Sequence, residues 1–220
     1  MKTDKVVTNT VTSMINNESI IPQRTVVNTC KTICAERLEL VPDDIPLALE
    51  TQIFPVNIHG DGNCLPRCAS LFMYGIEDHH SEIRRKIATE LEENSEYYLD
   101  DKSFEKGRNP NGRRAATSVF ASFSDHYFAE KLNTNGIRNI FVLEVNEISK
   151  PKTWMGMWQI SCLPNILYCP VVSVCFSYGT NNVKYDMHRV FYPRDERLHC
   201  RRPVHILWTN TNGKCLPVQI

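Results

Sequence analysis

The chain has 220 residues, with 25 Lys+Arg against 25 Asp+Glu and a formal net charge of zero. Hydrophobic residues make up 42% and charged residues 23%, which is enough apolar surface to fold and too even a charge for a basic nucleic-acid protein or a polybasic membrane binder. No apolar run approaches the roughly 18 residues of a membrane-spanning helix, and the polar N-terminus lacks the apolar stretch of a signal peptide.

Residues 1–50 read as an N-terminal extension. Val27, Cys30, Ile33, Cys34 and Leu38 recur at spacings of three and four, which predicts a short helix over 26–40, and Pro42 and Pro46 then break it. Residues 51–220 are predicted to form one domain. An extended entry over 51–58 meets a dense turn signal, Gly60-Asp61-Gly62-Asn63. A helix is predicted to start at Cys64, with Cys64, Cys68, Leu71 and Phe72 on one stripe and Pro66 tolerated in its first turn. A second helix is predicted over 79–98, with Asp78 as N-cap and Ile83, Ile87, Ala88, Leu91 and Tyr98 on one face. Residues 100–114 read as a charged loop. Val119, Phe120, Phe123, Tyr127, Phe128 and Leu132 predict a helix over 115–132. Met155, Trp158, Ile160, Leu163, Ile166 and Leu167 predict another, kinked or shortened by Pro164. Strands are predicted at 170–176, 187–192, 203–209 and 214–220. Helices come first and strands last, which favours an α+β fold: a small mixed β-sheet flanked by helices.

The nine cysteines are an odd count, and without a signal peptide they read as reduced thiols of an intracellular protein, cytoplasmic or nuclear. There is no Cys-x-x-Cys pair. Cys30/Cys34 and Cys64/Cys68 have no second pair at zinc-finger spacing, so a zinc-dependent interaction module fits poorly and no metal is expected. Most cysteines are expected to be small buried hydrophobes.

Cys64 is the exception worth weighing. A cysteine where a glycine-rich turn meets a helix can gain thiolate character from free N–H groups and the helix dipole. A thiolate is the nucleophile of cysteine catalysis, and converging backbone N–H groups suit an oxyanion. The same spacing also fits a tight turn with a buried cysteine.

Asp61-Gly62-Asn63-Cys64-Leu65, followed by a helix, resembles the nucleophile motif of the ovarian-tumour (OTU) family of cysteine deubiquitinases, of the papain-like class. The segment from Met73 to Asp101 resembles the helix pair after the nucleophile. Residues 154–174 resemble a helix leading into a Cys-Pro strand, and Pro203–Thr209 the penultimate strand. The arrangement is similar to a divergent animal branch that includes vertnin-like proteins. This likeness implies Cys64 as nucleophile, Asp61 as the supporting aspartate, and the backbone of Asp61, Gly62 and Asn63 as the oxyanion region. It implies hydrolysis of a ubiquitin isopeptide bond through an acyl-enzyme, without a cofactor, by a monomer whose partner is ubiquitin or a ubiquitin-conjugated protein.

The chain departs from the family at one place. A histidine normally begins the last strand and shuttles protons. Here Lys214 takes that position, within Gly213-Lys214-Cys215-Leu216-Pro217. Lysine is a poor proton shuttle near neutrality. His59 and His205 are substitutes to consider. The alternative is a catalytically inactive OTU-derived domain that binds or regulates.

Overall fold

A computed structural model describes Val56 and residues 58–127, 132–175, 185–211 and 214–219. The extension 1–50, its helix over 26–40, and most of the 51–58 entry lie outside the described residues. Helix α1 (Cys64–Tyr74) starts where the turn predicts and ends on Gly75, whose left-handed backbone lets its N–H return to the Leu71 carbonyl. Pro66 sits in the first turn, where a missing N–H costs no helical bond.

The second predicted helix is split into α2 (His80–Glu93) and α3 (Ser95–Leu99). The break falls at Asn94, whose side-chain amide turns back onto the Glu90 carbonyl and carboxylate. The N-cap is His79 rather than Asp78; its N–H is taken by the Ser70 hydroxyl, reaching across from α1. The apolar face of α2 is as expected: Ile83, Ile87 and Leu91 are fully buried, with Tyr98 below them. Within the predicted 100–114 loop, residues Asp101–Phe104 form a 3₁₀ turn that buries Phe104.

The third helix is shorter than the stripe suggests. Helix α4 (Ala116–Ser122) buries Val119 and Phe120, but Phe123 and Tyr127 lie outside it, half-exposed, and 128–131 are outside the described residues. Ser124 diverts the chain there by accepting the His126 N–H and donating to Glu144. Helix α5 (Thr134–Ile148) has no counterpart among the predicted elements. Asn133 caps it through the Gly136 N–H, and Ile140, Phe141 and Ile148 face the core. Helix α6 (Met157–Leu167) runs through Pro164 unbroken, because it is buried on nearly every side and packing overrides the lost bond.

Strands β1 (Val171–Cys175), β2 (Arg189–Phe191), β3 (Val204–Thr211) and β4 (Lys214–Gln219) form a mixed sheet in the order β2-β1-β3-β4. β1 and β3 run parallel; the outer pairs are antiparallel. The architecture is therefore the α+β arrangement read from the sequence. Val171, Val204, Ile206 and Trp208 turn one face of the sheet to the helical core, and Trp208 Nε1 donates to Ser173 Oγ at 2.8 Å. Phe104, Phe120, Phe141, Phe191 and Trp158 meet edge to face in the middle of that core. The opposite face carries Val172, Val174, His205 and Leu207, all buried. β4 contacts α1, which brings the end of the chain's sheet alongside the helix that begins at Cys64.

Candidate active site around Cys64

The turn before Cys64 is built from its own polar groups. Asp61 Oδ1 accepts the Asn63 N–H and Oδ2 accepts Asn63 Nδ2, both at 2.9 Å. Arg67, one turn into α1, closes on the same carboxylate from Nε at 3.2 Å and Nη2 at 2.9 Å. These bonds, with Arg67 first, hold the Asp61 carboxyl well below the usual carboxylate range. Asp61 thus supports the loop. Gly62 has φ +81°, and a Cβ there would stand 2.0 Å from the Lys152 carbonyl oxygen, so only glycine fits.

Arg84 joins this turn to the rest of the fold. It rises from α2 beside Ile83 and is 3% exposed. Its Nη2 donates to Gly62 O at 2.8 Å, to Asn63 Oδ1 at 2.9 Å and to Thr153 O at 3.0 Å, and its Nη1 donates to Ile148 O at 2.7 Å. Asn63 Oδ1 also accepts the Lys152 N–H at 3.1 Å. Arg67, Arg84 and the 149–153 segment are not among the residues the sequence singles out. One signal was present: Arg84, Ile87 and Leu91 share the core-facing spacing of α2, and a charge there has to be held by something.

Cys64 is the first residue of α1 and is 3% exposed. Ile58, Cys68 and Leu71 pack with it, and Val56 and Trp154 close the cluster from outside. Burial is the largest influence on the thiol and pushes it up to about 12. The N–H groups of Leu65 and Cys64 and the charge of Arg84 act the other way, and the Asp61 charge adds to the rise. The helix start therefore does favour the thiolate, as the sequence implies, but desolvation outweighs it.

The other residues of the predicted site are placed as follows. The Asn63 N–H is already donated to Asp61, and the Asp61 N–H to the His59 carbonyl, so neither points free toward an oxyanion. His59 is exposed on the entry loop. His205 stands on β3 opposite Val172 and is buried, which lowers its pKa to about 4. Lys214 opens β4 in register with Thr211. Among the described residues no histidine hydrogen-bonds Cys64, and no group of three His, Cys, Asp or Glu side chains could hold a metal ion. No described helix is long and apolar enough to cross a membrane. Of the cysteines, Cys64, Cys68, Cys162 and Cys169 are buried and Cys200 is exposed.

The family sequence model described as the Vertnin OTU domain matches residues 55–209, well over half the chain. The chain belongs to this family. Mouse (Mus musculus) Vertnin is 25% identical over 175 residues, which cover 78% of this chain and 22% of Vertnin. The chain spans about a fifth of that relative's length. Among solved structures, the OTU domain of OTUD1 is 15% identical with a TM-score of 0.41, over 75% of this chain and 84% of that one. The viral OTU domain protease from Farallon virus is 13% identical with a TM-score of 0.43, over 76% of this chain and 83% of that one. In this Vertnin OTU domain, the Asp61–Asn63 turn is held by Arg67 and Arg84 beside a buried Cys64.

Proposed function

We propose that this chain is an OTU-derived domain that recognises ubiquitin, or a protein carrying it, without cleaving the isopeptide bond. The observation that carries the proposal is the setting of Cys64: a thiol buried to 3% exposure, where burial favours the protonated form, with no histidine bonded to it among the described residues. A protonated thiol is a weak nucleophile, and the leaving amine needs a proton donor that Lys214 supplies poorly. Ubiquitin as the ligand follows from the OTU family's likeness alone. The domain is taken to span 51–220 and to act as a monomer in a cytoplasmic or nuclear setting.

A second reading is an active cysteine hydrolase. It is favoured by the N–H groups of Cys64 and Leu65, which lie on the thiol sulfur and would hold a thiolate once formed. The Cys64 thiolate would then attack the scissile carbonyl. The C–N bond would break as the lysine amine leaves with a proton from the base, and water would hydrolyse the thioester to a carboxylate and return the thiol, with Asp61 steadying the loop. The oxyanion would fall to the Cys64 N–H and to those of Gly62 and Asn63, the last after leaving Asp61. His59, His205 or Lys214 would have to supply the base.

Two measurements separate the readings. Ubiquitin bearing a C-terminal electrophile is expected to leave Cys64 unmodified over an hour, read by mass. Stoichiometric labelling within minutes, abolished by Cys64→Ala, would overturn the inactive assignment in favour of the hydrolase. Titration with unmodified ubiquitin is expected to give saturable shifts in its amide spectrum; a flat titration would remove ubiquitin as the ligand.

A further inference from the structure

We propose that Arg84 is a positioning residue: it holds the 149–155 segment, with Trp154, down over the Asp61–Asn63 turn, and so sets the accessibility of the Cys64 sulfur. This rests on the proposed reading of Cys64 as a thiol kept out of reach.

The geometry has three parts. The first is the guanidinium of Arg84, which bonds at once to the turn before Cys64, to the end of α5 and to Thr153. The second is the contact between two backbones. Gly62 lies so near Lys152 that a single methyl group would not fit between them, and Lys152 itself sits at φ +65°, a conformation unfavourable for a non-glycine residue. The third is Trp154, two residues on, which packs against the cluster of Ile58, Cys64, Cys68 and Leu71. The segment is a strap, tied down by Arg84 and Asn63 and carrying Trp154 against the cluster that holds Cys64.

The chemistry of Arg84 argues that this tie does more than fill space. Among the described residues every hydrogen-bond acceptor found for it is neutral and its Nε has no hydrogen-bond partner. Burying a cation on those terms is expensive, and an apolar side chain of similar size would serve packing better. A planar fork of donors is what distinguishes arginine, and here its two Nη groups reach acceptors that are far apart in the chain. A buried arginine of this kind fixes one arrangement of loops rather than adding stability.

The test uses alkylation of the native full chain by iodoacetamide, read peptide by peptide by mass across pH 7 to 10. Exposed Cys200 serves as the reference for reagent, and fully buried Cys162 in α6 as the reference for global loosening. Arg84→Gln is expected to speed modification of Cys64 by about ten- to a hundredfold, with Cys200 and Cys162 unchanged. In Trp154→Ala, which keeps the Arg84 charge, the rate profile should also move to lower pH, as the uncovered thiol regains water. Arg84→Lys should recover only part of the protection, since one ammonium cannot reach the same acceptors. Trp154→Ala leaves the Arg84 bonds in place and is expected to act in the same direction, so it decides the matter if Arg84→Gln does not fold. Wild-type Cys64 rates in folded variants, or a parallel rise at Cys162, would overturn the proposal. Neither result touches ubiquitin recognition, which the titration and the electrophilic probe decide separately.

Discussion

Arg67 grips Asp61 with two prongs from inside the helix that Asp61 introduces, so the turn and the first turn of α1 are a single unit. Both side chains are more than four-fifths buried, with Arg67 also 3.6 Å from Glu77. Asp61→Asn keeps the shape and loses the charge. It should cost about 2 kcal/mol in urea unfolding at pH 7, the scale of charged hydrogen bonds. The pH dependence follows from the depressed carboxyl. Its contribution is complete above the unfolded value of about 3.9 and drains away as pH falls below it. The gap between wild type and Asp61→Asn should therefore be constant from pH 5 to 8 and narrow at pH 3. A gap that persists unchanged at pH 3 would mean the charge is not what holds the turn.

Gly62→Ala introduces a Cβ at 2.0 Å from the Lys152 oxygen and forces an alanine to φ +81°. Backbone, not a flexible side chain, stands in the way. The expected loss is about 3 kcal/mol, the sum of positive-φ strain and displacement of a buried loop. Gly75 and Gly107 also have positive φ, so the informative comparison is Gly75→Ala. Glycine at Gly75 serves only the helix end, and its replacement should cost about 1 kcal/mol. Equal losses at the two sites, measured by thermal or urea unfolding, would show that the Lys152 contact adds nothing.

Burial that lifts the Cys64 thiol to about 12 predicts a specific order of reactivity. At pH 8 less than about one molecule in a thousand carries a Cys64 thiolate, and the sulfur is covered as well. Exposed Cys200 should react with a maleimide at least about a hundredfold faster, as followed by peptide mass. Cys64 reacting at the rate of Cys200 would show that the thiol is open and activated in solution.

The order of elements and the position of Cys64 were legible because both rest on local signals. Gly62, the residues of the turn and the stripe beginning at Cys64 specify a loop that becomes a helix within a few residues. Strands β1 and β3 were legible for the same reason, as short β-branched runs. Most of what stayed hidden depends on partners distant in sequence. Helix α5 is the exception and carries a local signal: Ile137, Ile140, Phe141 and Ile148 recur at helical spacing, but the apolar run from Ile140 to Leu143 blurs the stripe. Phe123 and Tyr127 continue the periodicity of α4, yet Ser124 and Glu144 end the helix before them. At the site, the dipole argument for Cys64 is local and correct in sign. The opposing burial comes from Ile58 and Trp154, which no spacing connects to Cys64. Arg84 is the extreme case, because its acceptors lie 21 to 69 residues away along the chain.

His205 ties the sheet to pH. On β3 it shares a face with Val172 and Leu207, its Nε2 has no hydrogen-bond partner among the described residues, and it is 8% exposed. Burial is the main reason its pKa falls to about 4, with Arg202 and His188 adding to the effect. The folded state therefore keeps the ring neutral while the unfolded chain, near 6.5, takes up a proton. Protons bind preferentially to the unfolded state between pH 4 and 6.5, so stability must fall as pH drops through that window. A shift from about 6.5 to about 4 corresponds to roughly 3 kcal/mol lost by pH 4, at about 1.4 kcal/mol per unit. His205→Phe preserves a flat ring on the buried face and removes the titration. The difference in urea unfolding free energy between wild type and His205→Phe should be constant above pH 7 and shift against wild type by that amount between pH 6.5 and 4. A difference that stays flat across the window would place His205 in contact with water or with a partner that accepts its proton.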